Sequence, residues 1–179
     1  PNDTYVPDDN FEQALIDLGY DDVLDDYVVT DSINSVTVLG VSNDSISDLT
    51  GIEGFTALTY LDCSENQLNS LDVSNNTALI ELRCRDNNLT SLDVNANTSL
   101  TILRCQANEL TALDVSSNTA LTTLSLGLNN LDSLDVSNNT ALTLLSCSQN
   151  QLDRLDVSAN TALTQLYCGY NQITSLDVS

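Results

Sequence analysis

Histidine, lysine, tryptophan and methionine are absent from this 179-residue chain, and proline and phenylalanine occur only twice each. Without histidine there is no imidazole to act as general base or metal ligand at neutral pH. The serines therefore have no plausible base partner, no glycine-rich phosphate loop appears, and catalysis by this segment is not expected. Four arginines are the only basic side chains; against 26 acids they leave a formal charge of −22. Such a chain repels nucleic acid and anionic membrane, both of which need clustered Lys and Arg. No apolar run is long enough to span a bilayer, so membrane insertion is not expected, and no signal peptide is expected within these residues. Six glycines and two prolines mark no interdomain linker.

What the chain does have is a period. From Leu58 to Ser179 it repeats every 21 residues without insertion or deletion. Leu61, Leu82, Leu103, Leu124, Leu145 and Leu166 are in phase, followed by Cys63, Cys84, Cys105, Leu126, Cys147 and Cys168, then Asn66, Asn87, Asn108, Asn129, Asn150 and Asn171. A fixed period of this length implies one coil per repeat, stacked into a solenoid that buries a core no single repeat could bury. The sequence divides into a cap over 1–35 and a solenoid over 36–179. The solenoid has an irregular first repeat at 36–57, five regular repeats at 58–162 and a partial repeat at 163–179. In the cap, Asp9-Asn10 are N-cap candidates, Phe11, Leu15 and Leu18 follow at helical spacing, and Gly19 stands where a helix ends. This apolar stripe is expected to cover the open edge of the first coil. The start at Pro1 without Met, and the stop partway through a repeat, point to the front portion of a longer protein whose C-terminal cap is missing.

Within one unit, Leu58-Thr59-Tyr60-Leu61-Asp62-Cys63-Ser64-Glu65-Asn66-Gln67-Leu68, the alternation about Leu61 reads as a short strand. The unit resembles the leucine-rich repeat motif LxxLxLxxNxL, with Cys in place of the third leucine. Ile46-Ser47-Asp48-Leu49-Thr50-Gly51-Ile52-Glu53-Gly54-Phe55 looks like the internalin-type bacterial subclass, and Tyr5 to Ile16 is similar to a segment preceding such repeats in secreted bacterial surface proteins. The resemblance implies an α/β, mostly β, horseshoe or coil: a parallel concave sheet, a non-helical convex side and a small helical N-terminal cap. Leu71-Asp72-Val73, with its in-out-in pattern, suggests a second narrow strand on the convex side.

Each rank has a structural reading. Leu126 in the cysteine slot marks it as apolar, in-register Cβ atoms lie too far apart for a relaxed disulfide, and a linear file without His cannot supply a tetrahedral zinc site; buried free thiols are expected. The Asn rank satisfies backbone groups of its turn and neighbouring coil. Asp72, Asp93, Asp114, Asp135, Asp156 and Asp177 point outward at one-coil spacing, where like charges repel by about 1 kcal/mol in water. Hydrogen bonds to nearby Ser, Thr or N–H groups would offset that, as would cations between carboxylates. Asp21, Asp22, Asp25 and Asp26 in the cap are a second, weaker calcium candidate, lacking the order of a calcium loop. No other cofactor is implied.

The arginines direct the functional reading. Residues flanking the inward Leu and Cys face the concave side, in files that vary while the rest of the repeat does not. The first file contains Tyr60, Glu81, Ile102 and Leu144; the central file Asp62, Arg83, Arg104 and Tyr167; the third Arg85 and Gln106, with Tyr170 beyond. Arg83, Arg85 and Arg104 form a positive island, which Asp62, Glu81 and Asp86 are placed to balance. Exposed Arg and Tyr combine contact area with directional bonding. A secreted or cell-surface bacterial recognition or adhesion module is expected, binding a protein or an anionic or aromatic-stacking glycan. The alternative is a non-catalytic spacer of a larger secreted protein, stabilised by calcium in one version. A monomer is expected, with end-to-end association open to an uncapped last repeat.

Overall fold

A computed structural model describes residues 2–177, with the backbone alone at Asp177; Val178 and Ser179, which end the partial repeat, and Pro1 lie outside the described residues. The solenoid is built on one seven-stranded parallel sheet. Its strands are β3 (Val38–Gly40), β4 (Tyr60–Asp62), β5 (Glu81–Arg83), β6 (Ile102–Arg104), β7 (Thr123–Ser125), β8 (Leu144–Ser146) and β10 (Gln165–Tyr167). The leucines are register partners throughout, Leu39 with Leu61, then Leu82, Leu103, Leu124, Leu145 and Leu166. An in-phase leucine, buried from Leu39 to Leu145 and half-buried at Leu166, forces this register, since a one-residue slip would turn the leucines to water.

Behind the sheet the chain runs in turns without α-helix. The convex strand anticipated at Leu71-Asp72-Val73 forms only in part. A single parallel bridge joins Asp72 and Asp93, and a two-stranded ladder joins β9 (Arg154–Asp156) and β11 (Ser175–Asp177). In paired and unpaired coils alike, the carboxylate folds back on its own chain. The Oδ1 atoms of Asp72, Asp93, Asp114, Asp135 and Asp156 accept from the N–H two residues on, each at 2.9 Å. Hydrogen bonds from Ser74 and Ser116 hold the Asp72 and Asp114 carboxyls below their ordinary values.

Two asparagine ranks carry the interior polar bonding. Asn87 Nδ2 donates to Cys63 O one coil back at 3.0 Å and to Cys84 O at 3.2 Å, while its Oδ1 accepts from Leu68 N at 3.0 Å. The same set recurs at Asn108, Asn129, Asn150 and Asn171. Asn97, Asn118, Asn139 and Asn160 donate to two carbonyls each from the opposite side of the coil. Between these ranks Cys63, Cys84, Cys105 and Cys147 are buried and unpaired, and Cys168 is half-buried. Burial pushes the Cys105 and Cys147 thiols up to about 12, so these two stay protonated at neutral pH.

The cap contains α1 (Asp9–Asp17), α2 (Thr30–Ile33) and an antiparallel pair, β1 (Asp3–Tyr5) with β2 (Tyr27–Val29), which the helical reading of the segment did not include. Phe11 and Leu15 are buried, but Leu18 is 47% exposed and leaves the expected stripe, because Gly19 turns the chain at φ 79° just beyond it. The N-cap is Asp8 rather than Asp9 or Asn10. Asp8 Oδ1 accepts from Asn10 N and Phe11 N, both at 3.0 Å. Its Oδ2 accepts from Ser47 N, Ser47 Oγ and Asp48 N at 2.9, 2.7 and 3.0 Å, so one carboxylate starts the helix and ties it to the first coil. The hydrophobic core runs unbroken from Val6 and Phe11 into the coils.

Burial pushes the Asp8 carboxyl up, but its bonds from Ser47, Phe11 and Asp48 prevail and hold it below the ordinary value of 3.8. A lowered folded-state pKa contributes stability that is complete above the unfolded value and lost as pH falls through the folded one. Asp8→Asn is therefore expected to cost about 1–2 kcal/mol at pH 7, a difference that shrinks below about pH 4. Urea melts of both proteins at pH 7 and pH 3 measure it.

Candidate ligand-binding face

The parallel register fixes two outward files on the concave sheet. Tyr60, Glu81, Ile102, Thr123 and Leu144 are consecutive members of the first; Asp62, Arg83, Arg104 and Tyr167 belong to the second, with Ser125 and Ser146 between the last two. Arg85 and Gln106 lie two residues past Arg83 and Arg104 as the chain leaves the strands. Tyr170 stands in the following turn, 87% exposed and left-handed at φ 56°. Every coil bends at this point: Glu65, Asp86, Ala107, Leu128 and Gln149 share the conformation, with φ from 54° to 58°.

The positive island is only partly free. Arg83 Nε donates to Glu81 Oε1 at 2.6 Å, Nη1 lies 3.8 Å from Asp62 Oδ2, and Cζ sits 5.3 Å from the Tyr60 ring centroid. The Glu81 hydrogen bond is the main influence holding the Arg83 guanidinium charged. Arg85 pairs with Asp86 at 2.9 Å and also with Glu65. Glu65 was not recognised from sequence; its signal is a position 20 residues before Arg85, one coil back.

Arg104 differs. Its register partners are Arg83 and Ser125, and it forms no ion pair among the described residues. Its Nε is shielded from solvent without a hydrogen-bond partner, as is Oε1 of Gln106 two residues on. A charged donor left without an acceptor is costly, and only the terminal nitrogens of Arg104, which are not among the shielded atoms, are open to a partner.

The acidic quartet of the cap does not assemble into a cation site. Among the described residues no three Asp, Glu, Cys or His side chains converge as metal ligands would. Asp25 Oδ1 accepts from Tyr27 N at 3.2 Å, and Asp26 adopts φ 67°. Burial raises the Asp21 pKa; a backbone bond from Asp22 opposes this, while the charges of Glu12, Asp22 and Asp25 add to it. Glu12, legible in sequence only as an acid near the helix start, is buried and accepts from Asp25 N at 3.0 Å and Tyr27 N at 3.1 Å, holding the acidic loop against α1.

A groove of about 860 Å³ lies on the convex side over Asp114, Asp135 and Asp156. Those carboxylates are already turned to their own N–H groups. The concave sheet is an open surface, suited to an extended or macromolecular partner rather than an engulfed small molecule.

No family model matches the chain. Over 72 residues, 40% of its length, it is 45% identical to internalin J of Listeria monocytogenes, of which it covers 8%. Its fold aligns with the functional domain of InlJ from the same organism, a structure described as including a cysteine ladder, at TM-score 0.61 and 33% identity; the match covers 98% of this chain and 49% of that one. The chain is an internalin-like leucine-rich repeat protein. An internalin InlF structure from L. monocytogenes matches at TM-score 0.74 and 23% identity, over 96% of this chain and 58% of that one, a likeness of fold. A leucine-rich repeat protein of Leptospira interrogans matches at TM-score 0.73 and 26% identity, over 84% of this chain and 42% of that one. The chain thus spans about half of the solved InlJ domain and less than a tenth of curated internalin J. No helix among the described residues is long and apolar enough to cross a membrane.

Proposed function

We propose that this chain is the recognition module of a secreted or surface-anchored bacterial protein and holds its ligand on the concave face. A leucine-rich repeat solenoid of the internalin type is a protein-interaction scaffold, and its ligand-facing residues are the ones that vary here from coil to coil. The observation that carries the reading is Arg104. In a chain of net charge −22, one of four arginines stands at the centre of the face with an unpartnered, shielded Nε, while its neighbours Arg83 and Arg85 are already paired. Arg83, Tyr60, Asp62 and Glu81 form a braced wall beside it; Ile102 and Leu144 add apolar contact.

Probing protein and glycan arrays with the purified chain tests this. Arg104→Ala is expected to weaken the selected ligand by about tenfold or more, the cost of losing a central anchor. Its melting temperature should stay within about 2 °C, because the substitution breaks no pair and relieves repulsion from Arg83. Equal loss of binding and stability would make Arg104 structural. Binding unchanged by Arg104→Ala would place the site away from Arg104, and no binding on either array would leave the solenoid as a spacer.

A further inference from the structure

Charge on the concave face forms a mosaic of both signs. Arg83 stands between Glu81 and Asp62, and Arg85 between Glu65 and Asp86, so each group keeps one negative charge in excess. The next strand carries the opposite imbalance. Arg104 makes no ion pair among the described residues, and its register partners are Arg83 and Ser125. Because its Nε is shielded, a partner reaches it end-on, through the two terminal nitrogens. Two N–H donors side by side at that end match the two oxygens of a carboxylate.

Beyond Arg104 the charge stops. Residues 123–128 and 144–149, over β7 and β8, contain no acid and no base. Both strands lie inside the sheet, paired on either side. Ile102 and Leu144, two strands apart in the first file, are half-buried there and leave part of each side chain open. Across the face the order is therefore surplus acid, one unpaired arginine, then an uncharged surface with apolar points.

We propose that the ligand of this face is a protein segment of net positive charge that carries one carboxylate side chain for Arg104. The inference rests on the concave face being the binding face. A Glu or Asp of the partner closes on the terminal nitrogens of Arg104. A Lys or Arg beside it meets the surplus acids of β4, β5 and their turns, one or two strand spacings of about 4.8 Å away. An apolar side chain on the other flank covers Ile102 and Leu144. At longer range the charge of −22 draws in a cationic partner and repels an anionic one. An anionic polysaccharide is a poorer match. It repeats one sign of charge along its length, and beside a single unpaired arginine its further carboxylates meet acids or an uncharged surface.

Selection of a yeast-displayed library of random disulfide-closed peptides on the 179-residue chain tests the proposal, with heparin and polygalacturonate titrated separately. Calorimetry then sorts the selected peptides by their response to Arg104→Ala. Those weakened about tenfold are expected to be net positive and to contain one Asp or Glu. Replacing that acid by its amide should cost a similar factor on the parent chain and nothing further on Arg104→Ala, the coupling of a direct pair. Arg104→Lys, which keeps the charge without the paired donors, should still lose about fivefold. Both variants should melt at the parent temperature. Arg104-dependent binding of either polyanion, or Arg104-dependent peptides of net negative charge, overturns the proposal in favour of an anionic ligand and leaves the concave reading intact. Peptides that ignore Arg104→Ala but are lost on Leu144→Arg overturn it and also keep the concave face as the site. Peptides that ignore both substitutions overturn it together with the concave reading, and a library that yields no binder overturns the proposal.

Discussion

Asn108→Ala is expected to destabilise the protein by about 3–5 kcal/mol and to lower its melting temperature by about 10 °C. The side chain is buried in the middle of the solenoid and serves three backbone groups. Its Nδ2 donates to Cys84 O at 3.0 Å and Cys105 O at 3.1 Å, and its Oδ1 accepts from Leu89 N at 3.0 Å. Alanine fills none of these roles, and each orphaned group costs about 1–3 kcal/mol where water cannot reach it. Two of the three groups belong to the preceding coil, so the loss falls on the coupling between coils. In a solenoid each coil is held mainly by its neighbours, so a broken central coupling should broaden a denaturant transition or split it in two. Asn88→Ala, at the exposed position just after Asn87 in the preceding coil, should stay within about 0.5 kcal/mol. A cost for Asn108→Ala below about 1 kcal/mol would mean that the ladder is ornamental and that the leucine core alone sets the register.

The difference between Asn108 and Asp8 separates what the sequence made legible from what it did not. Asn108 belongs to a rank, and six equivalent positions reveal its role because a periodic chain must satisfy the same backbone groups at every step. The concave files were legible for the same reason: once the inward leucines are in phase, alternation fixes which neighbours share a face. Asp8 occurs once, and its partners Ser47 and Asp48 lie about 40 residues away, where local pattern says nothing about which acid meets which N–H. Glu12 and the β1–β2 pair are hidden by the same lack of repetition. Charge pairing is intermediate. Asp62, Glu81 and Asp86 were visible as partners because they flank the arginines, but the reach from Arg85 to Glu65 depends on the left-handed turn after each strand. The convex strand was over-read: Leu71-Asp72-Val73 has strand alternation, yet among the described residues pairing persists only near the two ends of the solenoid, while the aspartate turn bond is the same in paired and unpaired coils.

Gly51→Ala should separate the cap from the coils at a cost of about 3 kcal/mol or more. Gly51 lies at φ 106°, a left-handed conformation that L side chains rarely adopt, just before the 3-10 turn at Ile52–Gly54. A Cβ there would sit 2.7 Å from Val6 Cγ2 and 2.8 Å from Tyr5 O. The valine methyl can move, but the carbonyl belongs to β1, whose register with β2 is fixed through Tyr5 and Tyr27. The backbone must therefore yield. What yields with it is the contact of Phe11 with Phe55, whose rings lie 6.4 Å apart, and the burial of Ile33. Gly19→Ala supplies the control, because Gly19 also has positive φ, at 79°, but its Cβ would meet nothing within 4 Å. It should cost only about 1 kcal/mol, the backbone penalty without the clash. Hydrogen exchange localises the difference: in Gly51→Ala, amides of residues 3–34 should lose protection before those of the central coils. Equal costs for the two substitutions would mean that the cap is not seated through Gly51 and that Asp8 alone holds it to the first coil.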